Sequence, residues 1–87
     1  MITGKTKSGF EYSIEDSALD NFELIEEFAK ADAGDAIAFI RAIEMLLGKE
    51  QKERLYNHLR TEKGNVPIKK FKDELSEILN DAKLKNL

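Results

Sequence analysis

The sequence predicts an α+β fold that is mostly α: an N-terminal β-hairpin followed by a compact bundle of about four helices, in one domain of 87 residues. Three observations predict it. Residues 1–14 alternate with the two-residue period of strands, while residues 22–82 repeat apolar positions at helical spacing. Residues 35–48, DAIAFIRAIEMLLG, are almost wholly apolar, which requires a helix with neighbours on more than one side. A chain of this length buries about 60–65% of the surface exposed when it unfolds, enough for one modest core and too little for two domains. The predicted division is a hairpin over 1–14, a helical bundle over 15–82 and a frayed tail over 83–87.

In the hairpin, Ile2, Gly4 and Thr6 lie on one side and Phe10, Tyr12 and Ile14 follow after Lys7-Ser8-Gly9, the spacing of two short strands about a tight turn with glycine. Two strands alone are marginal in water, so the aromatic face must pack on a helix, or the hairpin edge must pair with a second copy. Asp20 with Glu23 three residues later predicts a helix start, and Phe22, Leu24, Ile25, Phe28, Ala29 and Ala31 form its apolar half. Gly34 stops that helix and Asp35 caps the next. On the central helix Ala36, Phe39, Ile40, Ile43, Leu46 and Leu47 form the packing face, leaving Ile37, Ala38 and Met45 outside it beside Arg41 and Glu44. Gly48 ends the central helix. The next segment, to about Lys63, has only the narrow stripe Leu55, Tyr56 and Leu59, which predicts a helix on the outside of the bundle. After Gly64, Pro67 suits a first helical turn, and Ile68, Phe71, Leu75, Ile78, Leu79 and Ala82 recur at three- and four-residue steps, a single face for docking on the central helix.

Composition narrows the chemistry. There is no cysteine and one histidine, so neither a disulfide framework nor a histidine metal cluster is expected. No stretch is long and apolar enough for a membrane span or an export signal, which predicts a chain that is neither exported nor embedded and is compatible with a reducing cytoplasm. Of the net charge of −3, residues 11–35 carry nine acids against Lys30, a local −8, whereas residues 36–87 carry eleven bases and eight acids. The asymmetry can steer a charged partner, although solvated helix faces explain it as well.

Each chemistry-bearing group also has a plain structural reading. His58 is the one side chain that titrates near neutrality, and in KERLYNHLRTE it reads as a surface histidine. The five glycines are isolated and open no phosphate-binding loop. Asp32 and Asp35 read as helix-end residues, because ADAGDAIAF turns apolar where calcium ligands would have to continue. The sequence therefore predicts no catalytic, cofactor-binding or metal-binding residues and no enzyme. Lys49, Lys52, Arg54, Arg60 and Lys63 could face nucleic acid, but Glu50, Glu53 and Glu62 interleave with them, against the net positive face that phosphates require. The remaining signal is surplus apolar surface. Ile37, Ala38, Arg41, Glu44 and Met45 form the candidate partner-binding site, with burial under the hairpin as the alternative for Ile37 and Met45.

Across nearly the whole chain the ordered string resembles a known family. The matching features are Gly9-Phe10-Glu11, Asp20 leading into Glu23-Leu24-Ile25-Glu26, and Ala31-Asp32-Ala33-Gly34-Asp35. They continue with Leu46-Leu47-Gly48-Lys49-Glu50-Gln51, His58-Leu59-Arg60 and Gly64-Asn65-Val66-Pro67. This pattern is similar to the small tail assembly chaperones of long-tailed bacteriophages and prophages of Gram-positive bacteria. The resemblance implies a non-enzymatic protein of the bacterial host cytoplasm. It would bind the tape-measure protein, keep it soluble and bring tail-tube protein to it, often as a homo-oligomer. No residue-level functional motif carries over. The alternatives are a small DNA-binding or regulatory helical protein and a structural head-tail connector, which unlike a chaperone would stay in the virion.

Overall fold

The computed structural model describes residues 1–82, and the tail expected at 83–87 lies outside the described residues. The chain runs β1 (Ile2–Lys5), β2 (Glu11–Ile14), α1 (Asp16–Leu19), α2 (Phe22–Asp32), α3 (Ala36–Leu59) and α4 (Ile68–Asp81). This is the α+β, mostly helical architecture that the periodicities predict, with a two-stranded antiparallel hairpin ahead of about four helices.

The hairpin pairs Ile2 with Ile14 and Gly4 with Tyr12. Its turn is closed by the Thr6 carbonyl accepting from Gly9 N at 2.9 Å and by Thr6 N donating to Phe10 O at 2.9 Å. Gly9 takes φ 95°, a conformation that residues with a Cβ rarely adopt. Thr6 is buried, and its Oγ1 accepts from Phe10 N at 3.1 Å, so burial costs it no unmet hydrogen bond at that atom. Gly4 has a packing reason for its identity: the Tyr12 ring lies where a Cβ would be.

α2 begins one residue later than the Asp20 signal suggests. Asn21 is the cap, its side chain accepting from Glu23 N at 3.1 Å, while Asp20 N closes the short α1 by donating to Asp16 O. The stop at Gly34 is as expected: Gly34 N donates to Ala31 O and Asp35 N to Lys30 O, with Gly34 at φ 104°. Asp35 then caps α3, accepting from Ala38 N at 3.0 Å.

α3 is two helical arms joined at Gly48, whose φ of 80° and ψ of 162° leave the helix. The break frees the Leu47 carbonyl, and Gln51 repairs it, its Nε2 donating to Leu47 O at 2.7 Å. The same amide donates to Ser13 O at 2.7 Å and accepts from Ser13 N at 2.8 Å, so Gln51 also satisfies the free edge of β2. At Ser13 that edge is used within the chain.

The second arm of α3 keeps most of its surface outside, as expected, and buries only Leu55 of its narrow stripe. Leu55 is wholly buried because the hairpin's aromatic face, not solvent, covers this arm, and Tyr56 meets the Phe71 ring at 5.4 Å between centroids. The core joins Phe10, Tyr12 and Ile14 of the hairpin with Ile43, Leu46, Leu47 and Leu55 of α3 and Phe71, Leu75 and Ile78 of α4. With the hairpin spent on that side, no layer covers the outer faces elsewhere. Phe22, Ile25 and Ile68, all expected inside, are exposed.

Candidate protein-docking surface

The first arm of α3 presents its outer face to solvent. Ile37 is 63% and Ile40 44% exposed, one turn apart and each beside a charged residue, Arg41 and Glu44. Ile40 was expected in the packing face, but that role falls to Ala38, Ala42, Ile43, Leu46 and Leu47. Of the five residues predicted to bind a partner, Ile37 and Arg41 are exposed and Glu44 is half-buried. Ala38 belongs elsewhere: it is 0% exposed, on the side of α3 turned toward the rest of the bundle, and cannot meet a partner. Met45 is half-buried and packs against the core. Burial of Ile37 under the hairpin does not occur, because the hairpin lies on the other arm.

The charges on this face are tied to the fold. Arg41 Nη1 lies 3.6 Å from Glu27 Oε1 on α2, with Lys30 at the same distance from that oxygen. Glu44 accepts from Lys52 Nζ at 2.9 Å across the Gly48 bend. That hydrogen bond holds the Glu44 carboxyl below its ordinary pKa and raises the Lys52 ammonium above its own. The face therefore offers apolar contact framed by charges that the fold holds in place.

A second polar cluster joins the hairpin turn to the helices, and sequence spacing gave no sign of it. Ser8 Oγ donates to Glu74 Oε1 at 2.5 Å and lies 3.0 Å from His58 Nε2, while the His58 ring tilts against Phe10. Glu74 is 7% exposed, and Lys7 N donates to Glu77 Oε2 one turn further along α4. A serine beside a histidine invites a nucleophile and base reading. Here the carboxylate contacts the serine and not the imidazole, so the hydroxyl proton points to Glu74, and no acid among the described residues hydrogen-bonds His58. The geometry is that of a latch holding the turn on α3 and α4. His58 is exposed, as expected, but it is tied down by contacts made over fifty residues.

The bases of the second arm do not form one free row. Lys52 is held by Glu44, Arg54 reaches Glu11 O at 3.3 Å, and Arg60 donates to Gly64 O at 2.7 Å. Among the described residues no three acidic or imidazole side chains gather as metal ligands, and no helix is long and apolar enough to cross a membrane. Comparison with protein-family models, curated proteins and solved structures returns no match.

Proposed function

We propose that this protein is a non-enzymatic chaperone of phage tail assembly, which binds the tape-measure protein, keeps its apolar helices soluble and promotes assembly of tail-tube protein around it. It would work in the cytoplasm of the bacterial host and be absent from the finished virion. The observation that carries the reading is the pair Ile37 and Ile40, exposed on a rigid, capped helix and framed by Arg41 and Glu44. Apolar contact with a charged rim gives replaceable binding, which suits a chaperone that must later be displaced. The family resemblance of the ordered sequence supplies the identity of the partner.

Co-expression with the tape-measure protein, followed by affinity capture, tests it. The wild-type chain is expected to retain the tape-measure protein, and Ile37→Asp to release it with its circular dichroism spectrum unchanged. Capture that survives Ile37→Asp with Ile40→Asp overturns the assignment of the face. Failure of the wild type to hold the tape-measure protein overturns the function. Duplex DNA binding that weakens steeply with salt would favour the regulatory alternative instead. The engagement of Lys52, Arg54 and Arg60 within the fold speaks against that outcome.

A further inference from the structure

The two edges of the hairpin are not equally occupied. On β2, Ser13 N and O are both engaged by the Gln51 amide and Glu11 O by Arg54, so these residues turn their backbone groups away from β1. In an antiparallel ladder, residues directly opposite each other share one phase: both point their N–H and C=O inward, or both point them outward. Thr3 and Lys5 lie opposite Ser13 and Glu11, and they therefore aim theirs out of the free side of β1. Both residues are exposed, and among the described residues no group bonds to those donors and acceptors.

We propose that this edge pairs with β1 of a second copy, antiparallel about a two-fold axis at Gly4, to make a closed dimer with one continuous sheet. Three arguments select that occupant. Outward N–H and C=O groups in strand geometry are matched by another strand and not by a helix, whose own groups are paired internally. Between copies, β1 cannot take β2, because Gln51 and Arg54 hold the outward groups of β2; only like-to-like pairing is open, and growth stops at two. An axis at Gly4 sets Thr3 against Lys5 of the second copy and Lys5 against its Thr3, which uses every outward group of β1, whereas an axis at Lys5 would set two lysines face to face. The same register brings Lys7 of the second copy to Met1, whose amine is held by the exposed Asp16 at 2.9 Å, so a base meets an acid at both ends of the joint. That complementarity favours a copy of this chain over an unrelated strand, and the added strands suit a hairpin that is marginal as a pair. The chaperone reading is independent of it, since capture through Ile37 needs no β1 edge.

Sedimentation velocity on the full chain, from about 10 μM to 1 mM, covers the weak affinities of so small an interface. The wild type is expected to pass from monomer to dimer and no further. Thr3→Pro deletes an outward N–H at an edge position that proline tolerates, and should weaken the dimer about ten-fold or more with its circular dichroism unchanged; Thr3→Ala keeps the N–H and should stay within about two-fold of the wild type. Lys7→Glu and Asp16→Lys should each weaken self-association about five-fold at low ionic strength, and an equimolar mixture of the two should recover it, because each joint then pairs opposite charges. The NMR signals of the Thr3 and Lys5 amides should shift as concentration rises. The proposal is overturned if the wild type stays monomeric or grows beyond a dimer, if Thr3→Pro associates like the wild type, or if Thr3→Ala loses as much as Thr3→Pro. It also fails if the mixture associates no better than its components, if the two amides do not move, or if Ile37→Asp with Ile40→Asp abolishes the dimer, which would place the joint on the outer face of α3. Tape-measure capture without a dimer would sink this proposal alone, and a dimer without capture would sink the chaperone reading alone.

Discussion

Two ends of α3 differ in how they are covered. The arm after Gly48 lies beneath a strand pair and beside α4, with Leu55 wholly buried and Gln51, Arg54 and His58 each engaged by the hairpin. The arm before Gly48 buries Ala38, Ala42, Ile43, Leu46 and Leu47 on its inner side, leaving Ile37 and Ile40 in solvent on the other and a groove between Phe39 and Leu79. Both arms are comparably helical, and the difference lies in what is laid on them. A two-stranded sheet can cover one arm only, so the unspent apolar surface of α3 stays on the outer face of the other.

Substitutions at the two ends should therefore separate by size. The largest loss is expected for Leu55→Ala, which removes a fully buried side chain from under the hairpin and should cost about 2–5 kcal/mol in chemical denaturation. A loss under 1 kcal/mol would mean that the two arms are not differently covered. Gly4→Ala should cost about 1–3 kcal/mol, because the new methyl meets the Tyr12 ring and the strand must shift. Near-neutral behaviour there would show that the hairpin sits loosely on α3.

The same end should respond to alkali. Burial, helped by the hydrogen bond from Tyr12 Oη to Asp81 Oδ2 at 3.1 Å, pushes the Tyr12 phenol up from 10.0 to about 12. The folded state thus favours the neutral phenol. Its contribution is complete below pH 10 and is lost as pH rises toward 12, by about 1 kcal/mol per pH unit. Denaturation at stepped pH checks this, and Tyr12→Phe should remove that component of the alkaline loss. At the open end, Ile40→Ser should change stability by no more than about 0.5 kcal/mol, since the side chain is already 44% exposed. A larger effect would place Ile40 in the core and close the proposed docking face.

Much of this division was legible in the sequence, and the part that was not has a common cause. The hairpin and its apolar face followed from alternation and Gly9, and the helix ends from Gly34, Asp35 and Gly48, because each is decided within a few residues. Periodicity reports that a helix has an apolar stripe without saying which neighbour covers it, so the hairpin's place over Leu55 was not legible, and the broad face of the first arm read as packed although Ile40 is exposed. Ala38 was misplaced for the same reason. Gln51 looked like ordinary surface. Its role depends on a helix break three residues before it and a strand 38 residues away. The exposed pair at the candidate site was legible only by half, Ile37 as surplus surface and Ile40 as core.

The bonds from Lys7 to Glu77, Ser8 to Glu74 and Tyr12 to Asp81 join the first strands to the last described helix. A chain made from its N-terminus must therefore wait for α4 before the hairpin can seat. Until α4 leaves the ribosome, Phe10 and Tyr12 lack much of their covering surface, and the closing of this long loop is an entropic barrier late in folding. The hairpin, made before the helix that holds it, is among the last parts to lock, so truncation within α4 should release the hairpin as well.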